Sequence, residues 1–258
     1  MSRNPKITVI TAALAPDRNL EDCIRSVRSQ SLRPCQHILV AACGQQALAD
    51  VLHRHRDWLA DVVPSAASGP YHAFNAGLAR ATGDFVCFLN SDDVYAHDHA
   101  LERTVGCITG NRADSGYADL VYVLPNDASR TVRYWRSGPY DHGLFLRGWM
   151  PPHPTFVAKR SIYEQFGGYD PGFAISGDYE LLLRLLHKHR VSTCYLPEVT
   201  VKMRLGGRSN RYLGVVARKS VEDLLAWRTN RLPGALPAVL LKNLTKIPQF
   251  FRRPHDAA

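Results

Sequence analysis

The chain has 258 residues, 45% of them apolar, enough to bury a substantial core in one large α/β domain or two abutting halves. Its longest apolar runs, such as Ala235 to Leu241 with an internal proline, fall short of a membrane span, and six cysteines without a C-x-x-C pair predict buried reduced thiols instead of a disulfide framework or zinc site. The formal charge of +9 lies wholly beyond residue 199, where 12 Lys and Arg face Glu222, Asp223 and Asp256, while the first 199 residues hold 20 basic and 20 acidic side chains.

Taken in chain order, Met1 to Lys6 is charged and unpatterned and does not read as a signal peptide, so the chemistry is expected to face the cytoplasm. Ile7 to Thr11 is a β-branched run that predicts a first buried strand, followed by a helix from Leu20 to Gln30 with Leu20, Ile24 and Val27 on one face. Ile38 to Val40 predicts the second strand, Ala47 to Leu59 a helix, Val62 and Val63 a short strand, and Tyr71 to Arg80 a helix introduced by Ser68-Gly69-Pro70. Phe85 to Leu89 closes this half as a strand. Strands and helices alternating at this spacing imply a mostly parallel sheet with right-handed crossovers. Beyond Asp93 the reading is a helix capped by Asp98 and running to Ile108, strands over Asp119 to Leu124 and Thr131 to Trp135, and a Pro-rich junction at Met150-Pro-Pro-His-Pro154. Then come a short strand over Phe156 to Ala158, a helix over Ser161 to Phe166 stopped by Gly167-Gly168, an apolar helix over Asp178 to Lys188 and a closing strand over Val191 to Leu196.

Residues 211–258 read as a basic helical tail. From Leu232 to Arg253 apolar and basic residues interleave as in an interfacial helix, ending with Phe250 and Phe251 beside Arg252 and Arg253. The chain shows no zinc-finger spacing, no Gly-Phe-rich RNA motif and no helix-turn-helix signature, so an anionic membrane surface is the expected partner and nucleic acid is not.

Two places carry chemistry. The apolar strand Phe85 to Leu89 runs directly into Asn90-Ser-Asp-Asp93, and in open α/β sheets the ligand crevice lies beyond the carboxyl ends of the strands. Asp92 and Asp93 at that mouth suit Mg2+ or Mn2+, which take one or two carboxylates and fill their remaining positions with substrate phosphates. The competing reading is that Ser-Asp-Asp caps a following helix. Asp178 stands after Ser176-Gly177 at the start of the leucine-rich helix, where an ordinary N-cap competes with a catalytic carboxylate.

Several segments in series resemble family 2 glycosyltransferases: Asn75 to Asp84, Phe88 to Tyr95, Met150 to Phe156, Phe166 to Asp170, Gly177 to Arg184 and Val201 to Asn210. The resemblance spans roughly residues 6–210. It implies a GT-A fold, a mostly parallel Rossmann-like sheet flanked by helices in one domain over 1–210, with a nucleotide-sugar half at 1–93 and an acceptor half at 94–210. It implies an inverting, metal-dependent transferase using Mn2+ or Mg2+, a nucleotide-sugar donor and a glycan or lipid-linked acceptor of cell-surface polysaccharide or glycolipid synthesis. Such a protein would be cytoplasmic and peripheral on the inner face of the plasma membrane, with a homo-oligomer left open.

Carried over position by position, Asp93 matches the main metal ligand, Asp92 a second ligand near the donor ribose, and Asp178 the base that takes the acceptor hydroxyl proton. Thr11, Asn75, Arg204 and Arg208 fall on the donor side, and His153 on the acceptor or diphosphate. Arg184 is expected in an ion pair or phosphate contact, and His97 and His99 at the surface. The donor half departs from the family's usual pattern: Thr11 is followed by Ala-Ala-Leu-Ala15, Ala41 stands where an aspartate would help read the base, and His72 where aspartate is common. These changes imply altered donor recognition with the catalytic carboxylates retained. A catalytically weak or silent homologue acting as a partner or scaffold, and a sugar nucleotidyltransferase, are the competing classes. The latter should carry an early Gly-rich phosphate loop, which is missing between Ile10 and Leu20.

Overall fold

Strand β1 (Ile7–Ala13) is buried along its whole length, as its β-branched sequence demands, and it pairs in parallel with β2 (Gln36–Ala41) on one side and β4 (Phe85–Asn90) on the other. The computed structural model describes residues 5–14, 19–43, 45–59, 61–64, 69–206, 213–245 and 249. β3 (Asp61–Pro64) extends the parallel set beside β2. Helices α1 (Leu20–Arg28), α2 (Ala49–His55) and α3 (Pro70–Leu78) connect these strands. The helix expected over 47–59 is shorter, with a 3-10 turn at Gln46–Leu48 leading into α2. α3 lies tight on the sheet because it presents Gly77, where a Cβ would sit 2.5 Å from the Ile10 Cγ2.

The second half adds β5 (Val94–Tyr95), α4 (Ala100–Gly110), β6 (Ser115–Leu124), β7 (Asp127–Trp135), β8 (Val157–Lys159), α5 (Arg160–Phe166), α6 (Gly177–Leu182) and β9 (Thr193–Arg204). All nine strands form one sheet in the order β3-β2-β1-β4-β8-β6-β9-β5, with β7 paired to β6. The expected parallel arrangement describes β1 to β4 and the β6–β9 pair. The pairings β4–β8, β6–β8, β6–β7 and β5–β9 are antiparallel, so the sheet is mixed. β8 meets β6 only at Ser115 and Gly116, which frees the rest of that edge for β7 from Leu120 onward.

Local signals shifted some boundaries. His99, not Asp98, precedes α4, and no side-chain cap bond forms there. α6 gives way after Leu182 to a π-helical turn, Leu183–Lys188, that keeps Leu183, Leu185 and Leu186 buried. The closing strand runs beyond Leu196 to Arg204 because β6 pairs it along its length. All six cysteines are free thiols, but only Cys23, Cys87 and Cys194 are buried as expected; Cys43 and Cys107 are half-buried and Cys35 is exposed.

The basic C-terminal segment is distinct in charge but not in packing. α7 (Leu213–Thr229) and α8 (Ala235–Leu244) bury Ala226, Trp227, Ala238 and Val239 in the same core as the leucines of α6. The Trp227 indole donates to the Tyr179 hydroxyl at 2.8 Å, and Lys242, itself buried, reaches the buried Asp223 at 2.8 Å and stands 3.4 Å over the Tyr179 ring. Gly148, at φ +78°, lets α8 approach so closely that a Cβ there would collide with the Lys242 backbone. Over residues 213–245 the basic segment is thus helical and packed on the rest of the fold. Phe250, Phe251, Arg252 and Arg253 lie outside the described residues. No helix among the described residues is long and apolar enough to cross a membrane.

Candidate active site

The carboxyl ends of β4 and β9 meet at Asp93. Asn90 Nδ2 donates to Asp93 Oδ2 at 2.8 Å, and the Arg204 backbone N–H donates to Oδ1 at 3.3 Å. Asp93 is fully enclosed, so burial, reinforced by the neighbouring Asp92 charge, pushes its carboxyl well above the usual range. Arg204 ends β9 with its guanidinium folded back onto the Asp92 carbonyl at 2.9 Å and Asp22 Oδ2 at 2.8 Å, while its buried Nε has no hydrogen-bond partner among the described residues. Asp92 is only half-buried. Asp92 is thus the carboxylate with solvent access, and Asp93 sits behind it.

Among the described residues no group of three or more His, Cys, Asp and Glu forms a closed metal cage. The donor set instead fits a hard cation held at an open site: a solvent-accessible carboxylate backed by an enclosed one that accepts hydrogen bonds from the Asn90 side chain and the Arg204 backbone. Substrate phosphate and water would complete such a sphere.

Asp178 lies in the first turn of α6, half-buried, with Oδ1 accepting the Tyr179 N–H at 2.8 Å. It is not the N-cap; Ser176 precedes the helix. From α3, the Tyr71 hydroxyl donates to the Ile175 carbonyl at 2.6 Å, and the Tyr71 ring lies against Gly177, where a Cβ would stand 2.7 Å from it. Gly177 is the residue that lets the backbone carrying Asp178 settle on that ring. Tyr122, on β6, is near enough to both acidic groups to feel their charges. Its hydroxyl is pushed up by burial and by the charges of Asp93 and Asp178, against the Arg133 guanidinium 4.5 Å over its ring.

His153 is close enough to Asp178 to feel its charge, yet it is buried between Phe74 and Phe88 and hydrogen-bonded to the Tyr169 hydroxyl. Burial lowers its pKa, with Asp178 opposing, so the ring is held toward its neutral form. Thr11 and Asn75, expected on the donor side, have their side chains engaged inside the fold. Thr11 Oγ1 meets His37 Nε2 at 3.1 Å, and Asn75 uses both carboxamide atoms on the Tyr169 backbone, each at 2.8 Å. Arg208 lies outside the described residues. Arg184 makes the expected ion pair, with Glu180, and also donates to the carbonyls of Phe166, Gly167 and Gly168. His99 is exposed, and Ala41 is buried. His72 is exposed at the start of α3.

Sequence reasoning missed Asp22, Tyr71, Tyr122 and Arg133. Asp22 reads as an exposed acid of an amphipathic helix, and Tyr122 and Arg133 as ordinary strand positions. Only the pairing of β6 with β7 and the return of β9 bring them to the site.

The sequence profile described as Glycosyl transferase family 2 matches residues 8–176. An uncharacterised glycosyltransferase of Mycobacterium tuberculosis is 29% identical over 189 residues, covering 71% of this chain and 70% of that protein. Among solved structures, TarS of S. aureus superposes with a TM-score of 0.62 at 16% identity over 95% of this chain, which spans only 44% of TarS. A mannosyltransferase from Pyrobaculum calidifontis, solved with GDP-Man and Mn2+, gives a TM-score of 0.63 at 16% identity and covers 97% of this chain and 74% of that one.

Proposed function

The chain belongs to glycosyl transferase family 2 and is a glycosyltransferase, and from that premise we propose that it is a metal-dependent, inverting enzyme that moves a sugar from a nucleoside-diphosphate donor to a hydroxyl of a glycan or lipid-linked acceptor in cell-surface glycan synthesis. The observation that carries the reading is a strand end that presents Asp92 with Asp93 behind it, together with a separate half-buried carboxylate, Asp178, in the first turn of α6.

In this reading Asp92, backed by Asp93, holds Mn2+ or Mg2+, which when bound neutralises charge on the departing diphosphate. Asp178 accepts the proton of the attacking acceptor hydroxyl, one in-line displacement inverts the anomeric centre, and no carboxylate nucleophile is needed. Tyr71 and Gly177 hold the backbone of Asp178 in place, which matters because a misplaced base loses rate steeply. Arg204 fixes the Asp92 carbonyl and so the turn that presents the carboxylate pair. With an alanine at 41, packed against the apolar residues of β2 and the following turn, the nucleotide is recognised through diphosphate, ribose and cation more than through its base. A peripheral membrane location is supported by the basic, apolar C-terminal segment.

Differential scanning fluorimetry against nucleoside diphosphates and nucleotide sugars, with and without Mn2+, tests the proposal. A Mn2+-dependent rise for one nucleotide in wild type, lost in Asp92→Asn, is the expected result. If no nucleotide shifts the transition, a silent partner protein becomes the better description.

A further inference from the structure

We infer that Glu222, on α7, is a positioning residue for Asp178, an inference that rests on reading Asp178 as the base. The segment leading to α6 forms no ladder, so its backbone N–H groups need partners from elsewhere. Three consecutive ones find the same atom. Ala174, Ile175 and Ser176 donate to Glu222 Oε2 at 3.2, 2.8 and 2.9 Å. The carboxylate is buried, and its other oxygen stands 3.5 Å from Arg218. Ser176 Oγ adds a bond to the Lys219 carbonyl, one turn earlier on α7.

Such charge-assisted bonds are the strong class, and three amides converging on one oxygen fix position as well as contribute stability. The same stretch is held from the opposite direction by Tyr71, which donates to the Ile175 carbonyl. The last residue Glu222 grips, Ser176, lies two positions before Asp178. The height and direction of the Asp178 carboxylate are thus set by a clamp with one jaw on α3 and the other on α7. α7 belongs to the basic C-terminal segment, so that segment supplies part of the catalytic geometry.

The test is amide hydrogen–deuterium exchange on the full chain, wild type against Glu222→Ala and Glu222→Gln. In Glu222→Ala the amides of Ala174 to Ser176 and of the first turn of α6 are expected to exchange about tenfold faster or more, while those of β1 and β4 keep their rates. Glu222→Gln, which retains an acceptor oxygen and guards against a variant that simply fails to fold, should show a smaller rise at the same amides. Unchanged exchange at Ala174 to Ser176, or an equal rise across β1 and β4, overturns the inference.

Turnover supplies the functional arm, read as nucleoside diphosphate released from UDP-GlcNAc or GDP-Man. Glu222→Ala should lower kcat by about 10²-fold with KM for the donor unchanged. An inactive Asp178→Asn beside a Glu222→Ala enzyme of normal kcat would sink the positioning role alone. An Asp178→Asn enzyme of normal kcat would sink the base assignment on which it rests.

Discussion

Asp93 sits in the interior with a carboxyl pushed upward by burial and by Asp92, whereas Asp92 keeps solvent access, and the two should respond differently to amidation. Because the folded state holds the Asp93 proton more tightly than the unfolded chain, the stability linked to it is present below the ordinary carboxylate pKa. It is lost as pH rises from about 4 toward the raised folded value. Thermal melts without cation should therefore show Asp93→Asn gaining on wild type as pH climbs through that window, while Asp92→Asn, which removes the like charge beside Asp93, gains less over that window and loses the Mn2+ response. Equal melting curves for all three at every pH would refute the burial argument. His37 carries the opposite sign. Burial pulls it down to about 3, and Trp58 Nε1–H donates to its Nδ1, so the neutral ring carries its proton on Nε2 and donates it to Thr11. Its contribution is complete above about pH 6.5 and disappears as pH falls toward 3, so His37→Gln should flatten the acid limb of an unfolding-versus-pH curve. At this scale the sequence was informative where chemistry is written in residue type. Asp92, Asp93 and Asp178 stood out from their neighbours, but which of the adjacent aspartates would be enclosed depended on Arg204, 111 positions beyond Asp93.

At the scale of elements, the strands of the first half were legible because each is a short apolar run bounded by turn residues, and β1, β2 and β4 are covered on both faces. The second half was harder. β7 carries mostly exposed side chains, β5 has two residues, and β9 outruns its apolar core, so these boundaries come from pairing and not from composition. The charge of residues 200–258 concealed α7 and α8 most. Lys242 and Asp223 read as surface charges, yet both are buried against each other, and Asp223 Oδ1 has no hydrogen-bond partner among the described residues. Removing one member leaves the other charge uncompensated, so Lys242→Met is expected to cost about 3 to 5 kcal/mol in urea unfolding, with much of the loss recovered in Lys242→Met/Asp223→Leu. Trp227→Ala should cost about 3 to 5 kcal/mol through the cavity it leaves and the lost bond to Tyr179. A loss below about 1 kcal/mol for either single variant would mean that α7 and α8 are only loosely attached.

For the whole molecule, the docking of α8 changes how membrane association has to be tested. Deleting residues 232–258 would remove Ala238, Val239 and Lys242 from the core, so lost sedimentation would report unfolding as readily as lost lipid contact. The outer faces of the same helices offer a cleaner probe. Leu236 and Leu240 on α8 are 66% and 67% exposed and lie one helical turn apart, and Val221 and Leu225 on α7 are also exposed at that spacing. These side chains contribute little to the fold where they stand, and transferring even part of each leucine from water to lipid is worth about 1 kcal/mol or more. A protein whose excess charge lies beyond residue 199 should bind vesicles of phosphatidylcholine and phosphatidylserine at low salt and release as salt rises. If the leucines enter the interface, Leu236→Ser/Leu240→Ser should weaken vesicle binding by about tenfold or more with an unaltered thermal transition. Binding that falls with salt but ignores the double substitution would reduce the contact to charge alone, and no binding to either vesicle would remove the membrane from the account while leaving the catalytic reading untouched.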